Sequence, residues 1–324
     1  MITNIKVTFD GKLIPLPDTG SPPSTCRIPI TGITGFFGPC GCGKTRVLKA
    51  IACAASNYPD TWTKDYPGAK ETWNRAQLGF DENSVIELHA DKKYSGSRWS
   101  PEEHNALALF FIKNPAGLFD KLCHIGGNEE VSLPRMEYWR RADKDKFKIK
   151  GPVQKLLNEV LKKNREHETV DPQDTETAFR CPGSLKPFAL IREFLSKEIL
   201  RPGDTLVLDD AGEFMHPTMS VLYAKLMVLL YKQYGIQIIY SSVDESFTQA
   251  MSRYCVYYGI YRHVTSYIMH RYENGFGISE VLKDGAVHSV FRDLNRQFDL
   301  LSNDSGEENY SRKKPEKWDW AIKS

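Results

Sequence analysis

Eight consecutive residues, Gly38-Pro39-Cys40-Gly41-Cys42-Gly43-Lys44-Thr45, restrict what this chain can become more than any other stretch. They fit the pattern of Gly, four variable residues, Gly, Lys, then Ser or Thr. The run before them, Ile33 to Phe37, is β-prone. The run after them, Arg46 to Ser56, has helical composition through Val47, Leu48, Ala50, Ile51 and Ala54. Strand, glycine-rich loop and helix in that order make consecutive main-chain N–H groups converge in front of a positive helix end. That arrangement cradles phosphate. Lys44 is positioned for the β- and γ-phosphates of a nucleotide and Thr45 for Mg²⁺. Residues 38–46, Arg46 included, are therefore the candidate nucleotide-binding set, and Lys44 is also a candidate catalytic charge.

A second element completes this chemistry. Leu206-Val207-Leu208 is a continuous apolar run ending in Asp209-Asp210. A run apolar on every position suits a parallel strand buried on both faces. Acids at the end of such a strand are costly unless they meet a cation. Asp209 is the expected second Mg²⁺ ligand beside Thr45, and Asp210 is placed to polarise an attacking water.

Composition narrows the alternatives. Lys and Arg total 43 against 41 Asp and Glu, a net charge of +2, so the chain is not a globally basic nucleic-acid coat. The seven Cys are scattered and include no Cys-x-x-Cys pair, which argues against a zinc ribbon or disulfide framework. The most apolar helical stretch, Val221 to Tyr231, is short and contains Lys225, so no membrane span is expected. The first residues lack a charged segment followed by an apolar one. A reduced, cytoplasmic protein is the expectation.

Along the chain, Ile5, Val7 and Phe9 alternate with polar neighbours, and Asp10-Gly11 marks a hairpin turn. Ser84 to His89 alternates as a strand. Ser100-Pro101-Glu102-Glu103 reads as a capped helix start, with the helix running to about Lys113. Residues 185–200 form an expected amphipathic helix, Thr205 to Leu208 a buried strand, and Pro217 to Tyr234 a helix stopped by Gly235. Ile236 to Tyr240 is a further buried strand, and 264–282 a hairpin turning at Glu273-Asn274-Gly275. Ser289 to Leu301 reads as a last helix.

The segment from Arg180 to Val243 resembles ABC-type ATPases of the SMC/RecF/OLD group. Leu206-Val-Leu-Asp-Asp-Ala-Gly-Glu-Phe-Met-His216-Pro217 is similar to their Walker B strand and following loop. Cys181-Pro182-Gly183-Ser184-Leu185-Lys186 stands where they carry a Ser-Gly-rich signature, and Ile236 to Val243 resembles the strand leading to their switch histidine. The resemblance implies an α/β P-loop head with an N-terminal antiparallel β element. It assigns 1–56 and 180–302 to the ATPase head and says little of 57–179, whose broken helical pattern reads as a mainly helical insertion; the polar 303–324 reads as a flexible tail. It also implies ATP and Mg²⁺ as ligands, with Gly183 and Ser184 touching phosphate across an interface. The expected partners are a second copy, another ATPase head or an effector protein, in DNA maintenance or anti-phage defence. Four positions depart from the pattern: Asp210 replaces a longer Glu, Val243 the switch residue, Pro182 the signature Ser, and Ala211 a common Pro. Each loss removes a group that would stabilise transition-state charge or position water. Slow hydrolysis, or binding without turnover, follows.

Other features are read more plainly. Residues 140–165 carry ten basic residues against three acids. Phosphate-backbone or acidic-partner contact is one reading, and sparse aromatic interleaving favours a solvated helical face. Cys40 and Cys42 sit where a helix N-terminus lowers thiol pKa, although two small filler residues is the simpler account. His216 is expected to be a structural loop residue. Tyr254, Tyr257, Tyr258 and Tyr261 are expected as core and rim.

Overall fold

The computed structural model describes residues 2–8, 25–39, 41–55, 75–79, 85–89, 109–124, 148–162, 181–213, 215–272 and 275–281. The chain order of strands is β1 (Asn4–Thr8), β2 (Thr25–Pro29), β3 (Ile33–Phe37), β4 (Arg75–Gly79), β5 (Val85–His89), β6 (Leu109–Ile112), β7 (Thr205–Leu208), β8 (Gln237–Ser241), β9 (Val264–Tyr272) and β10 (Gly275–Val281). The helices are α1 (Lys44–Ala55), α2 (Pro115–His124), α3 (Gly151–Lys162), α4 (Lys186–Ser196), α5 (Pro217–Tyr234) and α6 (Glu245–Tyr257).

Two sheets result. Six strands run in the order β10-β9-β3-β8-β7-β6, and four in the order β2-β1-β4-β5. In the larger sheet β6, β7, β8, β3 and β9 are mutually parallel, and β10 returns antiparallel on the edge. The smaller sheet is antiparallel throughout. Parallel strands buried on both faces should be apolar at every position. Ile-Thr-Gly-Phe-Phe, Leu-Phe-Phe-Ile, Thr-Leu-Val-Leu and Gln-Ile-Ile-Tyr-Ser are apolar at most positions and each is buried from end to end, with Thr34, Thr205, Gln237 and Ser241 as the buried polar exceptions.

The period-two alternation of a strand sends these side chains to opposite faces. Ile33, Phe37, Phe110, Ile112, Leu206, Leu208, Ile238 and Tyr240 join one core with α2 to α6. Their sequence neighbours Phe36, Phe111, Val207 and Ile239 are equally buried on the other face. There α1 packs against strands of both sheets. Each fully buried Leu, Ile or Phe stabilises this arrangement by about 1.5–3 kcal/mol relative to exposure.

The helix ends follow from local chemistry. Asp244 caps α6 by accepting from Ser246 N at 2.8 Å. The helix α5 starts at Pro217 behind His216, whose Nδ1 accepts from Thr218 N at 3.3 Å, and stops at Gly235 in the left-handed region at φ 65°. His216 is thus a capping residue.

Residues 57–179, expected as a mainly helical insertion, contain among the described residues the helices α2 and α3 and also three strands. This stretch supplies β4 and β5, which extend the sheet begun by β1, and β6, which pairs with β7. The helix expected to reach Lys113 is replaced at its end by β6. Four consecutive apolar residues satisfy a strand buried on both faces as readily as a helix, and pairing along Leu206–Leu208 decides the matter. The partner of β1 is also β2, a segment that carries no alternating signal. The Asp10-Gly11 turn, the capped start at Ser100, the 289–301 helix and the 303–324 tail lie outside the described residues.

Candidate nucleotide site

The C-terminal ends of β3, β6, β7 and β8 lie side by side, and each leads into a loop and then a helix. In an open α/β sheet this edge is where ligands bind. β3 delivers the glycine-rich loop, β7 delivers Asp209 and Asp210, β8 delivers Ser241 and Ser242, and β6 delivers Lys113.

The loop needs glycine at its first position. Gly38 has φ 137°, and a Cβ there would stand 2.3 Å from the Met269 carbonyl oxygen. Only glycine tolerates both the dihedral and the approach. Lys44, buried at the start of α1, turns its ammonium back across the loop and donates to Gly38 O at 2.8 Å and Pro39 O at 3.0 Å. A cation is held over the concave side of the bend, where phosphate oxygens compete well against neutral carbonyls for an ammonium. The Cys42 thiol lies 3.8 Å from the same ammonium. Burial nonetheless pushes the Cys42 thiol above its ordinary pKa, with Lys44 only opposing the shift. The thiolate-favouring environment expected from the helix end is therefore overturned for Cys42 by desolvation, and Cys42 acts as a small filler. Cys40 and the Arg46 side chain lie outside the described set.

Thr45 and Asp209 meet, although 164 positions separate them. Thr45 Oγ1 donates to Asp209 Oδ1 at 3.0 Å, and Ser241 Oγ donates to the same oxygen at 2.9 Å. Asp209 is 1% exposed. Its second oxygen, Oδ2, is buried and has no hydrogen-bond partner among the described residues. Burial raises the Asp209 pKa above the ordinary 3.8; the Ser241 hydrogen bond opposes this, Asp210 reinforces it, and Thr45 and Lys113 oppose it. A buried carboxylate with one bare oxygen is expensive unless it is protonated or meets a cation. A Thr hydroxyl and a carboxylate are hard oxygen donors of the kind Mg²⁺ prefers, and Mg²⁺ takes only one or two such protein ligands beside phosphate oxygens and water. The residues fit that ion.

Asp210 follows in the left-handed region at φ 56°, half-buried, with its N–H donating to Ser241 Oγ at 2.8 Å. The chain then turns through Gly212 at φ 90°, where a Cβ would come within 2.6 Å of Asp244 Oδ2. Ser242 ties the turn down by donating to Ala211 O at 2.7 Å. Glu213, at the end of this turn, has its carboxyl pKa raised by desolvation and then by Asp210. Lys113, exposed and one residue beyond β6, is the cation that opposes both shifts.

Of the residues expected from sequence, Lys44, Thr45, Asp209 and Asp210 come together. Gly183 and Ser184 instead form the turn before α4, stabilised by Leu185 N donating to Pro182 O at 2.8 Å, and take no part in the hydrogen bonds around Asp209. Val243 lies two residues beyond β8 and is 44% exposed. Two contributors were missed. Ser241 carried a legible signal, a hydroxyl at the end of an apolar strand beside an acid-ended one. Lys113 was hidden because its strand reads as helix.

No protein-family model matches this sequence, and no curated protein does either. Solved structures do resemble it. An SMC head bound to the C-winged helix domain of ScpA is 10% identical, with 89% of this chain and 99% of that one covered and a TM-score of 0.52. The SMC head domain from Thermotoga maritima is 11% identical over 86% and 98%, at a TM-score of 0.46. The ABC transporter component cbiO1 from Clostridium perfringens is 16% identical over 94% and 99%, at 0.41. The first of these likenesses, taken with the parallel sheet and its loop, establishes an α/β P-loop NTPase fold of the SMC-head type.

Proposed function

We propose that this protein is an ATP-binding head that holds Mg²⁺-ATP between the 38–45 loop and the β7 strand end. One observation carries the reading: Thr45 and Asp209, distant in sequence, share a hydrogen bond of 3.0 Å while Asp209 keeps one buried oxygen without a partner among the described residues. Bound Mg²⁺ would neutralise charge on the β- and γ-phosphates. Lys44 supplies a second positive charge, and the loop amides orient the phosphates. Ser241 fixes the Asp209 carboxylate. Asp210, held by its own N–H on Ser241, stands next to that carboxylate as the group nearest to base chemistry.

Hydrolysis is slow in this proposal. Val243 offers hydrocarbon just beyond β8, where a donor to the γ-phosphate is needed. The same exposed Val243 favours a second reading, a sensor or scaffold subunit that binds ATP without turnover. Gly183 and Ser184, apart from the Asp209 cluster, remain available to a nucleotide on a second head. The head then associates in response to nucleotide, as a homodimer or with another head or effector protein. The resemblance of 206–217 to the SMC/RecF/OLD group supports a cytoplasmic setting in DNA maintenance or anti-phage defence. Among the described residues no helix is long and apolar enough to cross a membrane.

Calorimetry with ATP and Mg²⁺ tests the site. Binding heat should appear with the native chain, and Lys44→Ala should weaken it about 10- to 100-fold, the loss expected for charge-assisted hydrogen bonds. Absence of any adenine-nucleotide heat overturns the proposal. Steady-state phosphate release then separates a slow ATPase from a sensor.

A further inference from the structure

The edge of the large sheet opposite the candidate nucleotide site carries a surface that this reading does not use. α6 leaves the site at Asp244 and ends at Tyr258 on the far side of the sheet. There Gly259, at φ 71°, stops it, and Ile260 N reaches back to Cys255 O at 2.9 Å. This turn lifts Tyr261 and Arg262 outward before β9 begins at Val264, opposite Ile33, the first residue of β3. The C-terminal turn of α5 lies beside it, and Gln233 on that turn donates to Lys150 O at 2.6 Å, bringing in the start of α3.

Aromatic rings and cations alternate across this edge. Tyr257 is 69% exposed and Tyr261 is 48% exposed. Tyr257 stands edge-on to Tyr258 at 4.9 Å, and Tyr258 stacks on Tyr254 at 6.2 Å. Lys232 lies over the Tyr258 ring at 5.1 Å, Lys225 over Tyr254 at 5.8 Å, and Arg262 over Tyr261 at 5.8 Å. Lys148, Lys150 and Arg253 are exposed on the same three segments. Residues 148–155, 225–235 and 251–263 contain no Asp or Glu. The chain as a whole is nearly neutral at +2, so this one-sided charge is local to the edge. The four tyrosines, expected from sequence as core and rim, are therefore divided: Tyr254 and Tyr258 pack partly into the core, and Tyr257 and Tyr261 project.

We propose that this edge binds single-stranded nucleic acid. A polyanion complements these three segments, which carry cations and no acids; the neighbouring turn, whose Gly203 N donates to Tyr234 O at 3.0 Å, has Glu198 paired with Arg201 at 3.6 Å and Asp204 buried. Unstacked bases supply flat partners for the projecting rings. Base-on-aromatic stacking is tolerant of sequence and is strengthened by Arg and Lys beside the ring. A purely acidic polypeptide would satisfy the cations and leave the rings without use. A duplex would hide its base faces from them.

Anisotropy of a labelled oligo-dT on the full chain tests this directly. Binding should weaken with salt, following roughly 0.7 decades of affinity per decade of salt for each phosphate neutralised. Tyr257→Ala and Tyr261→Ala should each weaken it about fivefold or more. Tyr257→Phe and Tyr261→Phe, which keep the ring, should retain it. All four substitutions are at exposed positions remote from the loop, so unchanged melting and unchanged binding of ATP with Mg²⁺ confirm an intact fold. No oligo-dT binding, affinity indifferent to both alanine variants, or equal competition by polyglutamate or by duplex DNA would each overturn the proposal. The surface stands apart from the nucleotide site, so this experiment succeeds or fails independently of the ATP reading.

Discussion

Ser241 Oγ donates to Asp209 Oδ1 at 2.9 Å and with its lone pair accepts from Asp210 N at 2.8 Å, so one hydroxyl orients both acids at the end of the neighbouring strand. β7 and β8 run parallel with Leu208 opposite Tyr240, which brings the residue after each to the same level. A buried carboxylate needs such donors to stay ionised.

Ser241→Ala removes a donor from Asp209 and leaves the Asp210 N–H without its acceptor. Losing one side of a buried hydrogen bond costs about 1–3 kcal/mol. Chemical denaturation should show a loss of that size. The Asp209 pKa should rise further, because the Ser241 hydrogen bond is the largest influence opposing its upward shift. Ser241→Thr should recover the Mg²⁺ dependence of nucleotide binding better than Ser241→Ala. Equal Mg²⁺ titrations for the two variants would remove Ser241 from the site.

Asp209 makes a prediction in pH. Its pKa in the folded protein lies above 3.8, chiefly through burial. The neutral carboxyl is therefore the form folding favours. Asp209 imposes no penalty below the unfolded pKa, and its ionisation lowers stability as pH rises from there through the folded pKa. Asp209→Asn should leave the ligand-free protein at least as stable as the native chain at pH 7, measured by thermal melting. It should also abolish the extra stabilisation conferred by Mg²⁺ with ATP, because the metal requires the ionised form. In the ligand-free native chain the Asp209 carboxyl should titrate above an ordinary aspartate, as followed by carboxyl NMR shifts. A titration midpoint at or below 3.8 would contradict the burial argument.

These relationships show which parts of the site a sequence can reveal. Residues 38–45 were legible because each position has a separate chemical reason, and the acids at 209 and 210 because charge at the end of an apolar strand is costly. Ser241 was passed over because the strand reading looked beyond it to Val243. Lys113 was lost with β6, since Leu-Phe-Phe-Ile has no period that separates strand from helix. The antiparallel sheet was half-visible: β1 and β5 alternate, but the pairing of β1 with β2 and β4 joins segments whose register no local pattern specifies. Long-range pairing was the missing quantity in each of these cases.

Tyr223 offers a test of the core alone. It lies fully buried on α5 between Phe188 and Phe247, with ring centroids at 5.4 and 6.0 Å, and its hydroxyl has no partner among the described residues. Desolvation drives its pKa strongly upward. Tyr223→Phe keeps the ring and removes the orphaned group, so stability should rise by about 1–2 kcal/mol. Thermal melting should move up by a few degrees. A drop of similar size would mean that the hydroxyl is satisfied in solution, by water for instance.

Gln237 presents the opposite case, a buried polar side chain with every bond made. Its Oε1 accepts from Ile2 N at 2.9 Å and from Thr205 Oγ1 at 3.0 Å, while its Nε2 donates to Ile2 O at 2.7 Å and Thr31 O at 2.9 Å. Two acceptor and two donor positions are the full capacity of a carboxamide. This one side chain anchors residue 2, the approach to β3 and the start of β7 to the first residue of β8. Gln237→Leu fills a similar volume but strands four polar groups, at about 1–3 kcal/mol for each that water cannot reach. Global stability should fall by several kcal/mol in denaturant unfolding. Hydrogen exchange should also accelerate at the Ile2 amide, which loses its acceptor. Gln237→Glu separates bonding from packing: it keeps Oε1 for Ile2 N and Thr205 and presents an acceptor to the two carbonyls. If the amide's two donated bonds matter, it should be at least as damaging as leucine at pH 7 and milder once the carboxyl is protonated. A Gln237→Leu chain as stable as the native one would show that residue 2 and the sheet are held by apolar packing alone.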